Sequence, residues 1–307
     1  MKKPYISDEK ANLVTMRDPM IMVLGDAYYL TGTQPPYWEG EVNEGVRLWS
    51  SKDLVSFTDH GLILKRSDMP KHLWCRDRFW APELFDGGDG WIYLTFNCRN
   101  ESEDYKHIHS AGLARAKEVT GPYEIITRDG SLTEDRGRSN DATLFRDDDG
   151  TVWLGCNIKG ETRTQTLQPI DLSTGALGEQ ILVCGTGAEG EWDSIGVEGA
   201  CIVKRHGIYF HWYSSWTNGY NAGVLTADNL RGPWRKSPDN PILVSNDIWH
   251  LAGHNHSFVG LDGKDYFIFH AFLREPDGED LPRIFIRRVD YLPDGGVRIH
   301  EDLGFGE

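Results

Sequence analysis

Three acidic residues head short apolar runs in a 307-residue chain: Asp18 in "DPMIMVL", Asp141 in "DATLF" and Glu198 in "EGACIV". A carboxylate at the mouth of a buried run is costly unless it is paired or has a chemical task. Crowding several such acids raises at least one pKa, because like charges disfavour ionisation. One acid kept protonated beside another kept ionised is what general acid–base chemistry needs. Asp18 and Glu198 stand 180 positions apart, so a fold must bring them together.

Self-similarity along the chain supplies such a fold. "DATLFRDDDGTVWLGCN" from Asp141 recurs as "DPMIMVLGDAYYLTGT" from Asp18 and as "APELFDGGDGWIYLTFN" from Ala81. It recurs again as "EGACIVKRHGIYFHWYS" from Glu198 and as "HNHSFVGLDGKDYFIFH" from His254. Each copy reads as a strand, a glycine turn and an aromatic-rich strand. The turn glycines Gly25, Gly90, Gly150, Gly207 and Gly263 fall 65, 60, 57 and 56 residues apart. A third strand follows in every copy, as in "GVRLWSSKDL" and "NAGVLTADNL", and weaker fourth strands follow as "HGLIL", "YEIITR", "EQILVC" and "VRIH". Five units of four antiparallel strands predict an all-β protein: a single five-bladed β-propeller occupying residues 1–307. A linear solenoid is the rival, but its repeats are usually shorter and its ends capped. In a propeller the first strand of each blade lines the channel. The heads Asp18, Ala81, Asp141, Glu198 and His254 then face one mouth.

Composition narrows the partners. The net charge of −15 and the lack of a clustered Lys/Arg stripe argue against nucleic acid. A neutral substrate suits this balance better than an acidic polymer. There is no run of 18 apolar residues, so no membrane span is expected. "MKKPYISDEK" lacks the apolar segment of a leader, although a trimmed chain would look the same. Five cysteines without a CxxC read as reduced core residues, with Cys98, Cys156 and Cys201 in apolar runs, which favours a cytoplasmic location over a secreted one. Oligomeric state is not legible.

The motifs "MRDP", "WAPE", "SNDATLF", "GVEGA" and "AGHNHSF", in this order, resemble glycoside hydrolase family 43 from about residue 14 to residue 299. The resemblance implies a five-bladed propeller that cleaves arabinofuranosides, xylosides, arabinan or galactan with inversion. It implies Asp18 as general base, Asp141 as the residue that tunes and orients the acid, and Glu198 as general acid. Ala200 stands where the family motif has Pro. The family's blade-five His often contacts a hydrated calcium ion in the channel. Here spacing favours His254 for that place and the neighbouring Ser favours His256. An ion is compatible with the channel through His254 and waters, but no cofactor is required.

Sugar binding needs an apolar platform with polar groups around it. Trp80 is the expected platform, with Asp77 and Arg78 as rim contacts and Glu83 of undecided direction. Arg283 falls where the family often carries an Arg that reaches a sugar hydroxyl. Trp38, Trp74, Trp192, Trp216 and Trp249 are candidates for the mouth wall. The expected substrate is an oligo- or polysaccharide bearing an α-L-arabinofuranoside or β-D-xyloside, cut from an end. The rival readings are a related propeller hydrolase acting on galactan, fructan or agaro-oligosaccharide, and a sugar-binding propeller without catalysis.

Overall fold

Apolar residues on both faces of a strand call for packing on both sides, and the second strand of each repeat shows this most clearly. The computed structural model describes residues 4–37, 42–102, 104, 109–160, 162–274 and 281–301. Their strands form five separate four-stranded antiparallel sheets, each in simple meander order. Blade one holds β1 (Arg17–Leu24), β2 (Ala27–Thr33), β3 (Gly45–Ser51) and β4 (Thr58–Lys65). Blade two holds β5 (Asp77–Asp86), β6 (Ile92–Arg99), β7 (Ser110–Ala116) and β8 (Glu124–Ile125). Blade three holds β9 (Arg138–Arg146), β10 (Val152–Lys159), β11 (Arg163–Pro169) and β12 (Ile181–Gly185). Blade four holds β13 (Glu198–Arg205), β14 (Ile208–Ser215), β15 (Asn221–Ala227) and β16 (Arg235–Lys236). Blade five holds β17 (Trp249–Val259), β18 (Asp265–Leu273), β19 (Pro282–Tyr291) and β20 (Val297–Ile299). Among the described residues no helix is long and apolar enough to cross a membrane.

Each inner hairpin turns on its expected glycine. Gly25, Gly150, Gly207 and Gly263 adopt φ between +61° and +86°. A Cβ there would meet nothing within 4 Å, so backbone conformation and not crowding demands glycine.

The core lies between the blades, in five apolar layers. Phe210 and Trp212 of blade four pack on Phe267, Phe269 and Phe285 of blade five. The layer between the last and first blades joins Ile268, Ile284 and Ile286 to Ile21, Leu30 and Trp49. That contact closes the ring. A strap ahead of β1 reinforces it, with Ile6 N–H donating to the Ile284 carbonyl at 2.8 Å. Every fourth strand comes from its own blade, so closure rests on packing and on this strap. The outer strands of blades two and four are the shortest, two residues each. Cys75, Cys98, Cys156 and Cys201 are buried free thiols, and Cys184 is half-buried.

Candidate active site

The inner strands do not run straight past the channel mouth. Register shifts mark β-bulges in β1, β5, β9, β13 and β17. A bulge re-aims one side chain and interrupts the ladder. The bulged residue is left-handed in every blade: Asp18 (φ +49°), Ala81 (+41°), Asp141 (+54°), Gly199 (+66°) and His254 (+48°). Counting back from the turn glycines placed Glu198 in this set, and the register corrects that. Glu198 pairs with Ser214, as Arg17 pairs with Thr33, Trp80 with Asn97, Asn140 with Asn157 and Gly253 with His270. Glu198 therefore belongs to a ring one residue nearer the mouth. Gly199 takes the left-handed place, where a Cβ would lie 3.3 Å from His254 Cα.

Four of the five bulged amides are held by the second strand of the preceding blade. Ala81 N–H donates to Thr33 Oγ1 (2.8 Å), and Asp141 N–H to Asn97 Oδ1 (3.1 Å). His254 N–H donates to Ser214 Oγ (2.8 Å). Asp18 N–H donates to His270 Nδ1 (3.1 Å), across the junction of blades five and one. In blade four, Gly199 N–H donates instead to Asp141 Oδ2 at 2.8 Å, and Asn157 Nδ2–H donates to the Val197 carbonyl at 2.6 Å. These polar residues, which end every aligned repeat, went unread as site residues. Their signal was the recurrent T, N, N, S, H after an aromatic strand.

The three acids converge on His254. Its Nδ1 lies 3.4 Å from Asp18 Oδ1 and 3.7 Å from Asp141 Oδ2. Burial works against charge on His254, but Asp18, Asp141, Glu198 and Glu83 outweigh it and raise its pKa. Burial would likewise raise Asp18. His254, Arg17, His270 and the Thr33 hydroxyl, which donates at 2.6 Å, bring it down to about 2 instead. Glu198 goes the other way. Burial and then the Asp141 charge push it up to about 7, against His254 and the Tyr220 hydroxyl that donates to its Oε1 at 3.0 Å. Tyr220 stacks on His270, with ring centroids 5.5 Å apart. Two neighbouring carboxyls are thus driven in opposite directions, Asp18 down to about 2 and Glu198 up to about 7. Asp18 and Asp141 are buried, while Glu198 is partly exposed toward the mouth.

The other expected residues divide. Trp80 is half-buried at the place in β5 that Glu198 holds in β13, its indole 4.7 Å from His109, with Arg78 and Arg99 over its faces. Asp77 and Arg78 are buried braces and not open rim contacts: Asp77 pairs with Arg66 and Arg76, and Arg78 with Glu101. Arg283 is buried, donates to the Val14 carbonyl at 2.8 Å and lies over the Tyr5 ring, so these contacts brace the strap. Of the two histidines, His254 faces the acids. His256, two residues along β17, is kept uncharged by burial, with Nδ1 unpartnered. Glu83 is also in the channel wall, where burial raises it to about 8. Trp74 and Trp249 are core residues, which corrects their reading as mouth wall. Trp192 packs on Tyr213, Trp216 lies under Arg163, and Trp38 falls outside the described residues.

A calcium ion takes six to eight oxygen ligands. Among the described residues no three His, Cys, Asp or Glu side chains converge as a metal site. The imidazole nearest such a position already faces two carboxylates, which favour its protonated form. These donors do not fit a directly held ion, and no step below runs through one.

A radial all-β ring with a divergent carboxyl pair at its axis defines the class, and the comparisons agree. The profile described as glycosyl hydrolases family 43 matches residues 13–297, and the chain belongs to that family. It is 30% identical over 238 residues to the beta-D-galactofuranosidase xynD of Aspergillus niger, covering 72% of this chain and 63% of that protein. It is 26% identical to xylosidase/arabinosidase 43B of Humicola insolens, covering 82% of this chain and 46% of that one. The chain thus spans less than two thirds of either relative. A solved thermostable family-43 glycoside hydrolase superposes with a TM-score of 0.76 at 26% identity, covering 93% of this chain and 92% of that one.

Proposed function

We propose that the protein is an inverting glycoside hydrolase that removes a terminal pentose, an α-L-arabinofuranoside or a β-D-xyloside, from an oligo- or polysaccharide. The observation that carries this reading is that the neighbouring Asp18 and Glu198 carboxyls are driven in opposite directions. Glycosidic cleavage needs a proton on the leaving oxygen and a nucleophile at the anomeric carbon. Glu198 carries that proton. With Oε1 accepting from Tyr220, its Oε2 is left to meet the leaving oxygen. Asp18, ionised and fixed by Thr33, takes a proton from the attacking water. Asp141 keeps Glu198 protonated by its charge and fixes its backbone through Gly199. His254 lies between Asp18 and Asp141 and draws the Asp18 carboxyl toward its ionised form. The names of relatives, which include galactofuranosidase and xylosidase/arabinosidase, support furanoside and xyloside substrates.

The test is hydrolysis of p-nitrophenyl α-L-arabinofuranoside and β-D-xyloside, with the first-formed anomer read by NMR. Release of the opposite anomer is expected. A retained anomer defeats the assignment of Asp18 as base, and silence across a wide glycoside panel favours a sugar-binding propeller.

A further inference from the structure

One charge pattern at the mouth has no part in this chemistry. Lys159 ends β10, and its cross-strand partners are Arg138, which opens β9, and Arg163, which opens β11. Three cations therefore stand side by side across the mouth edge of blade three. Like charges directly opposite in a sheet are destabilising. Among the described residues no carboxylate comes within ion-pair distance of any of them, although the charges of Asp141 and Glu198 reach Lys159. In a chain of net charge −15 the row is a local inversion of sign.

The row faces blade four. Asn157, two residues before Lys159 on the same face, reaches the Val197 carbonyl, next to Glu198. Arg163 lies over the Trp216 ring, 4.6 Å from its centroid. Trp216 in turn closes on Gly196, where a Cβ would sit 2.2 Å from its ring. Lys159 is half-buried, and Asn140, oriented to satisfy its neighbours, accepts from Lys159 Nζ (3.3 Å) and donates to His109 Nε2 (3.0 Å). His109 packs on Trp80. Lys159 and Arg163 are thus held between the expected sugar platform and the candidate acid, with Arg138 exposed beside them.

We propose that Arg138, Lys159 and Arg163 form a subsite for a carboxylate on the leaving part of the substrate, a uronic acid unit bearing the neutral sugar that is removed. Guanidinium forks match a carboxylate in shape and charge. The leaving side follows from Glu198, because the group that protonates the leaving oxygen stands next to the row; to that extent the inference rests on the proposed function. The overall charge still disfavours a long acidic polymer, whereas one anionic unit meets only the local cations.

Calorimetric titration of the full chain tests this without turnover, using D-glucuronate and D-galacturonate, their methyl esters and sodium sulfate. At least one uronate is expected to bind tenfold or more tighter than its own ester, and tighter than sulfate. R138Q/R163Q should abolish that preference and R138K/R163K should keep most of it, with unchanged thermal midpoints showing both fold. Equal binding of uronate and ester overturns the subsite, as does sulfate binding as tightly as uronate. A preference that survives R138Q/R163Q overturns it too. Failure of the hydrolase reading shows separately, as uronate selectivity without hydrolysis of any glycoside.

Discussion

The Asp141 carboxylate accepts the Gly199 amide at 2.8 Å and the Asn97 side-chain amide at 2.9 Å. One carboxylate thereby sets the charge felt by Glu198 and grips the peptide that follows it. Asp141→Asn removes the charge and turns one acceptor into a donor facing a donor. We expect kcat to fall by about 100-fold and the alkaline limb of the pH–rate profile to move to lower pH. An unmoved limb with reduced kcat would show that Asp141 acts by position alone.

Glu198→Gln and Asp18→Asn separate the two proton transfers. The first should lose about 1,000-fold on substrates with poor leaving groups and far less on activated aryl glycosides. The second should fail on both. Comparable losses for the two variants on every leaving group would remove Glu198 from the role of acid.

Activity should fall as pH rises through about 7, where Glu198 loses its proton. Asp18 stays ionised down to about 2, so it sets no acid limb in the working range. Folding sets that limb. Burial lowers His211, His256 and His270 to about 3. An unfolded histidine takes up a proton near pH 6.5, so the unfolded state binds more protons below that value. The histidine contribution to stability is then complete above about 6.5 and is lost as pH falls toward 3. His211 has neither ring nitrogen hydrogen-bonded. His211→Leu should therefore flatten the decline of Tm between pH 6.5 and 4, and a slope identical to the wild type would contradict this.

Thr33 holds two blades at once, donating to Asp18 Oδ2 and accepting from Ala81 N–H. Thr33→Val keeps the shape and strands a buried amide, which costs about 1–3 kcal/mol. A lower Tm in thermal melts should come with a larger fall in kcat than in KM, because Asp18 loses the donor that fixes its carboxylate. A stability loss with normal kcat would mean that Thr33 serves only the fold.

The repeat was legible because it is local. A glycine turn, an apolar strand before it and an aromatic strand after it are fixed by nearest neighbours, and they recur five times. The blade count, the antiparallel order and the gathering of Asp18, Asp141 and Glu198 follow from that periodicity. Arg138, Lys159 and Arg163 were not legible as a row, since cross-strand register and not sequence proximity makes them neighbours.

The sequence by itself determined which residue types stand at the axis. Tertiary structure decided which way they point. All five inner strands carry the bulge, but the hairpin turn is two residues long in blade four and five residues long in blades two, three and five, so counting back from the glycine put Glu198 level with Asp141. Backbone register places Glu198 one step nearer the mouth. Protonation was decided there too. Asp18 and Glu198 have similar intrinsic acidity, and burial drives both upward. Only the distance from each to His254, Arg17 and Asp141, set by ring closure, separates them.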